Sequence, residues 1–274
     1  MQRLSVVIIT YNEEENIGRC IQSVTNIADE IVVVDSGSTD RTASIARNFG
    51  AVVYTEKFRG YIEQKNYALQ LAAYNNILSL DADEVPDAAL LTAIQEAKKS
   101  LRGKAYSMNR CTNYCGRLLR HGLCYPDRKI RLFDRRIAKW GGINPHDKII
   151  LKKGIHAVHL EGDLLHYAFN SVEELVSRNN RISSIAAQSL YDIGRRSNWY
   201  KILVHPAWAF LNGYFLRLGF LDRFEGFSFA VNAAYQVFLK YCKLYRIQRS
   251  MKRKSSYRHA KLPLPKKNTA TNNV

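Results

Sequence analysis

An α/β fold built on a doubly wound, mostly parallel sheet is the class this sequence predicts, on three observations. Short uninterrupted apolar runs recur through the first hundred residues. Helical patterns separate them at the spacing of strand–helix units. Polar clusters then follow the first, second and fourth runs, on the edge where ligands bind in such sheets.

Leu4–Thr10 (LSVVIIT) reads as a strand buried on both faces. Asn12, with Glu15 three residues on, predicts a capping box opening a helix whose apolar stripe is Ile17, Ile21 and Val24. Glu30–Asp35 (EIVVVD) is the second strand, and Gly37 to Asp40 turn into a helix over residues 41–49. Ala51–Thr55 is a third strand, followed by a helix over 61–73. Ile77–Leu80 is a fourth, ending in Asp81-Ala82-Asp83-Glu84, and Pro86 is expected in the first turn of a helix reaching Lys99.

From Lys104 to His166 the pattern is short and strand-like, with turns at Cys115-Gly116, Tyr125-Pro126-Asp127 and Trp140-Gly141-Gly142. Ser171, with Glu174 three residues on, caps a helix to about Gly194, and 199–247 carry aromatics at helical spacing. The expected division is a catalytic domain over 1–170, a helical region over 171–247 and a basic, disordered tail over 248–274.

Charge is distributed unevenly. Of the net +17 over 274 residues, the first hundred contribute −5, residues 101–225 contribute +11, and residues 226–274 contribute +11 without a single acid. An acidic head on a basic tail argues against a chain built to coat nucleic acid, and no nucleic-acid partner is expected. The five cysteines form no disulfide-like framework, and the N-terminus lacks signal-peptide anatomy, so a cytosolic catalytic part is expected. Cys111, Cys115, His121 and Cys124 have loosely zinc-like spacing, but read better as ordinary reduced side chains. The longest nearly uncharged stretch, Gly226–Leu239, is too short for a spanning helix.

Asp81-Ala82-Asp83 is the strongest chemical signal: carboxylates one residue apart in a strand point the same way and share a hard cation with a diphosphate. An isolated Asp-x-Asp reads as two solvated acids; here it closes a buried strand beside two other polar clusters. Asp35 suits a ribose hydroxyl or a base N–H. Neither a Gly-x-Gly-x-x-Gly turn nor a Gly-x-x-x-x-Gly-Lys-Ser/Thr loop is present, so a nucleotide here is held by carboxylates and metal rather than a glycine cradle.

Ser5 to Glu13, Val34 to Asp40 and Leu80 to Glu84 resemble family 2 glycosyltransferases of the type-A nucleotide-diphospho-sugar fold, a Rossmann-like, mostly parallel sheet, here with a C-terminal amphipathic helical extension. Tyr125-Pro126-Asp127, Arg131-Leu132-Phe133, Pro145-His146-Asp147 and Leu164 to Tyr167 resemble the lipopolysaccharide inner-core β-glucosyltransferases. The resemblance implies that Thr10, Tyr11, Asn12, Glu13 and Asp35 hold the nucleotide, with Lys65 and Arg131 near the nucleotide sugar. It implies Asp81 at ribose or metal and Asp83 on Mg²⁺ or Mn²⁺, with His166 as a further ligand or phosphate partner. Asp147 is the expected base and Asp127 the second choice.

The function expected is inverting, metal-dependent transfer of a hexose, glucose from UDP-glucose, to a lipid-linked saccharide such as the lipopolysaccharide inner core. Aromatics mixed with Arg217, Arg223, Lys240, Lys243 and Arg246 point to peripheral attachment to an anionic membrane surface, on the cytoplasmic face of the inner membrane. The rivals are transfer to a polyprenyl-linked or capsular acceptor, and a non-catalytic sugar-nucleotide-binding protein.

Overall fold

The computed structural model describes residues 2–143 and 146–260, without the side chains of Ile143, His146 and 252–260. Its elements are β1 (Leu4–Thr10), α1 (Ile17–Val24), β2 (Glu30–Asp35), α2 (Thr42–Asn48), β3 (Val52–Thr55), α3 (Tyr61–Leu71), β4 (Asn76–Asp81), β5 (Glu84–Pro86) and α4 (Ala88–Lys98). There follow β6 (Ala105–Tyr114), β7 (Arg117–Leu119), β8 (Asp127–Asp134), β9 (Ala138–Ile143), β10 (His146–Leu151) and β11 (Val158–Phe169), then α5 (Val172–Asp192), α6 (Trp199–Leu211) and α7 (Arg223–Ala260).

Among the described residues, nine strands form one sheet in the order β3-β2-β1-β4-β8-β6-β11-β5, with β7 paired to β6. The first four are parallel, β8 is antiparallel to both neighbours, and β6 and β11 are parallel. The order reverses around β1, which lies between β2 and β4, so the crevice at their carboxyl ends is a topological switch point.

The runs of Val and Ile are strands because both faces are covered. Leu4, Val6 and Ile8 meet Ile17, Ile21, Leu90 and Ile94 on one side; Val7, Val32 and Val34 meet Ala68, Leu69 and Phe133 on the other. Burying each such side chain contributes about 1.5–3 kcal/mol. A third cluster, Tyr114, Leu119, Phe169 and Leu175, joins the sheet to α5 and to Phe229 of α7.

The ends of the elements differ from the sequence reading in places. Asn12 does not cap a helix: it takes a left-handed φ of 52°, its side chain accepts from Thr39 N, and α1 begins at Ile17. Pro86 closes β5 instead of opening α4, whose N-cap is Asp87, accepting from Leu90 N at 2.8 Å. Gly162 passes so close to that helix start, with φ +94°, that a Cβ there would collide with Leu90 N. Ser171 caps α5 as expected, accepting from Glu174 N. α7 crosses the expected boundary at 247 and runs on to Ala260; the remainder of the expected tail, 261–274, lies outside the described residues.

Polar contacts tie the C-terminal helices to the sheet region and to each other. His121 donates from its backbone N to Asp222 Oδ2 (2.8 Å), Tyr114 and Ser228 share a hydrogen bond of 2.8 Å, and Lys243 Nζ reaches Asn180 O (2.6 Å) and Ser183 Oγ (2.7 Å).

Candidate active site

The carboxyl ends of β1, β2 and β4 bring the three polar clusters together. After β1 and β2 the loops are laced to each other: Asn12 N donates to Ser38 Oγ (2.9 Å), Glu13 N to Thr42 Oγ1 (2.8 Å), and Ser38 N and Oγ both donate to buried Asp35. Tyr11 is exposed over this edge, and the Thr10 hydroxyl is buried without a partner among the described residues.

After β4 the acids separate. The strand ends at Asp81 and the chain turns, so Asp81 and Asp83 face different partners. Asp81 Oδ1 lies 2.9 Å from Lys65 Nζ and Oδ2 lies 2.7 Å from an Arg131 guanidinium nitrogen. Burial pushes its carboxyl up, but Arg131 and Lys65 outweigh burial and hold it well below the usual carboxylate range. Arg131 is itself buried, bonded also to Glu84 (2.6 Å), and these acids raise its already high pKa against the cost of burial. Glu84 in turn accepts from Asp81 N at 3.0 Å.

Lys65, on α3, is the pivot. Its ammonium bridges Asp81 to Asp147 Oδ2 (2.8 Å) on β10 and lies 4.3 Å from the centre of the Trp140 ring. Among the described residues, strands β9 and β10 pair only with each other, as a ribbon lying on α3. Asn66 clamps it there, bonding both Trp140 O (3.0 Å) and Trp140 N (3.1 Å).

On the other side Asp83 Oδ2 meets His166 Nε2 at 3.2 Å. Burial raises the Asp83 carboxyl, but the His166 imidazole more than offsets that, and the net direction is down. Burial dominates at Glu13, whose carboxyl is raised despite a bond from Asn16. Asp83 and Glu13 line a cleft of about 780 Å³, walled by Tyr167–Asn170 and by Glu173, Ser177, Arg178 and Arg181 of α5.

Residues 5–156 match the family model of glycosyl transferase family 2. This chain belongs to that family. Uncharacterized glycosyltransferase RT0209 of Rickettsia typhi is 33% identical over 89% of this chain and 87% of its own length. The lipopolysaccharide core biosynthesis glycosyltransferase LpsC of Rhizobium meliloti is 30% identical over 89% of this chain and 92% of its own. A crystal structure of glucosyl-3-phosphoglycerate synthase from Mycobacterium tuberculosis, with Mn²⁺, UDP and glucosyl-3-phosphoglycerate, aligns over 41% of this chain and 44% of that one, at 24% identity and a TM-score of 0.35.

The glycosyltransferase is thus an enzyme of α/β class with a helical C-terminal extension. The sequence reading puts Asp81 at ribose or metal; in the structure Asp81 pairs with Lys65 and Arg131. Asp83 and His166 are the pair of candidate metal ligands that the structure brings together, 3.2 Å apart. Among the described residues no three His, Cys, Asp or Glu side chains converge on a metal position, and of the pair the Asp83 carboxylate is the ligand suited to Mg²⁺ or Mn²⁺, with water and a diphosphate completing the shell. His166 Nδ1 is buried without a partner among the described residues.

Asp127, the second choice as base, is paired with Arg110 (2.7 Å) and Lys129 (3.0 Å), which against burial lower its carboxyl. Pro145 and the His146 side chain, part of one sequence motif, lie outside the described residues. Among the described residues the cysteines and His121 form no three-ligand metal cluster. Cys111 is buried on β6 with its thiol pushed up to about 11, burial raises Cys124 to about 12, and His121 Nδ1 is committed to Asp222 at 2.9 Å. Trp140 and Arg178 were not singled out by the sequence. Trp140 carries only a turn signal, and Arg178 is one of two arginines in an otherwise ordinary helix.

Proposed function

We propose that this glycosyltransferase moves a hexose, glucose from UDP-glucose, with inversion onto a lipid-linked saccharide such as the lipopolysaccharide inner core. The observation that carries the reading is the pair of carboxylates flanking the switch point: Asp83 with His166 on the cleft side, and Asp147 held by Lys65 on the ribbon side. The family, and the 30% likeness to a lipopolysaccharide core transferase across most of both chains, support the acceptor class.

In this reading the laced loops carrying Thr10 to Glu13 and Asp35 receive the nucleoside, with the free Thr10 hydroxyl as a donor or acceptor for it. Asp83 and His166 would hold Mg²⁺ or Mn²⁺, which would supply charge for the departing diphosphate. Asp147 takes the proton of the attacking acceptor hydroxyl. Lys65 fixes Asp147 in position, and Asn66 fixes the ribbon that carries it. Arg131 keeps Asp81 and Glu84 in place beneath the site and leaves Asp83 to the cleft.

The surface of α6 and α7 supports attachment to an anionic membrane surface at the cytoplasmic face. Among the described residues no helix is long and apolar enough to cross a membrane. Trp199 (67% exposed), Leu203, Trp208 (58%), Leu216 (65%) and Phe224 (71%) nevertheless stand in solvent. From Ile193 to the end, sixteen Lys and Arg face two acids, Asp222 and Glu225. Apolar bodies with basic flanks suit an interfacial helix pair.

The test is a thermal-shift panel of nucleotide sugars with and without Mn²⁺, followed by transfer assays on Asp83→Asn and Asp147→Asn. A metal-dependent shift with UDP-glucose, lost in Asp83→Asn, is expected. Asp147→Asn is expected to bind UDP-glucose normally while losing about 10²–10⁴-fold in kcat. Near-normal turnover in Asp147→Asn sinks the base assignment.

A further inference from the structure

The transfer reaction leaves a diphosphate whose charge needs partners beyond one cation, and the two side chains the sequence offered for phosphate are engaged. Arg131 is buried against Asp81 and Glu84, and His166 faces Asp83. Arg178 stands differently. It lies two turns into α5, half-buried, in the wall of the cleft that also holds Asp83 and Glu13. Among the described residues it forms no ion pair within 4.0 Å.

The side chain is nonetheless positioned. Its guanidinium carbon lies 5.1 Å from the centre of the Phe169 ring, and that ring is held by Tyr114 and Phe229, each 6.4 Å away. An arginine held over a ring in a cleft wall loses little freedom on binding, and a guanidinium fork matches two phosphate oxygens. Arg181, about one turn further along α5, lines the same cleft but is exposed. Both lie beyond residues 5–156, the part that matches the family model.

We infer that Arg178 binds the diphosphate of the nucleotide-sugar donor and stabilises it as it departs. This rests on the donor-site reading above. In the transfer, the bond from sugar C1 to the β-phosphate oxygen breaks and its electron pair stays on that oxygen, beside the guanidinium. The acceptor oxygen bonds to C1, and its proton passes to Asp147. Arg178 exchanges no proton; it supplies positive charge and N–H donors.

The experiment is calorimetric titration of UDP, and separately of uridine, into the full chain with Mn²⁺ present. Arg178→Met keeps an apolar stem over Phe169 and removes the charge. It is expected to weaken UDP about 10–100-fold while uridine binds as to the unaltered protein. Arg178→Lys keeps the charge without the fork, is expected to fall between, and decides the matter if the Met variant does not fold. UDP binding within about twofold in the variants overturns the inference. So does unchanged UDP binding with a raised KM for a phosphorylated saccharide acceptor, which assigns the arginine to the acceptor. If the unaltered protein binds neither UDP nor uridine, the donor-site reading itself fails, a result that needs no variant.

Discussion

Lys65→Met isolates the most tightly constrained ion pairs of the site. The ammonium sits between Asp81 (2.9 Å) and Asp147 (2.8 Å), with the lysine side chain only 5% exposed and that of Asp147 13%. Deleting one partner of a buried pair costs about 3–5 kcal/mol, because a charge is left without compensation. Asp81 retains Arg131 at 2.7 Å, so the charge stranded is that of Asp147, and the lower end, about 3 kcal/mol, applies. For a chain of this size that is a fall in Tm of about 6–12 °C, read by circular dichroism. Removing the stranded charge in Lys65→Met/Asp147→Asn should recover at least about 1 kcal/mol, a coupling the double-mutant cycle measures. If Lys65→Met melts within about 2 °C of the unaltered protein, or the double variant is no better than the sum of the singles, the bridge is not as described.

Three further outcomes are expected. Asp81, Asp83, Asp127 and Asp134 all have carboxyls held below their ordinary range, so the stability they contribute is present above about pH 4 and is lost as pH falls through their folded-state values. Tm should therefore drop below about pH 4, and a Tm that rises between pH 5 and 3 contradicts the ion-pair assignments. Serine at both Trp208 and Phe224 should cut sedimentation with phosphatidylglycerol vesicles by at least about tenfold, from about 1.5–3 kcal/mol of burial per side chain. Unchanged sedimentation, or concentration-dependent dimerisation in place of vesicle binding, argues against the lipid surface. Gly226→Ala places a Cβ inside the Gly219 carbonyl oxygen and against Asp222 Cβ at 2.9 Å, and should cost about 1–3 kcal/mol in denaturant unfolding. An equally stable variant means that the start of α7 is not packed this closely.

The parallel half of the sheet was legible because its strands are apolar on both faces and its helices show clear stripes; Ile17, Ile21 and Val24 are all buried where the stripe put them. What escaped the sequence was mostly decided by partners distant in the chain. Asn12 has the chemistry of a helix cap, but Thr39, 27 residues away, offers its backbone N–H, and the side chain goes there. Asp81 and Asp83 look alike in a strand pattern, yet Lys65, Arg131 and His166, from three other elements, pull them apart. Arg178 gives no sequence signal, since its setting is made by an aromatic ring nine residues back in the chain and a cleft wall formed by the loop after β1. The continuation of α7 into the basic end was hidden by composition: abundant Lys and Arg suggested disorder where helix persists to Ala260.

The ribbon of β9 and β10 has an engineering consequence. It contributes no rung to the nine-stranded sheet, and it is moored to α3 through Asn66 and Lys65. Substitutions in the ribbon that spare Ala138, Trp140 and Ile149, which pack into the core, therefore leave the hydrogen-bond register of the nine-stranded sheet alone. Under the proposed function, donor handling and acceptor handling fall on two parts of the molecule, joined through Lys65, Asn66 and the buried Trp140. Grafting ribbons from relatives onto this sheet, with Lys65, Asn66 and Trp140 retained, tests that division: under the proposal the acceptor changes and the donor does not.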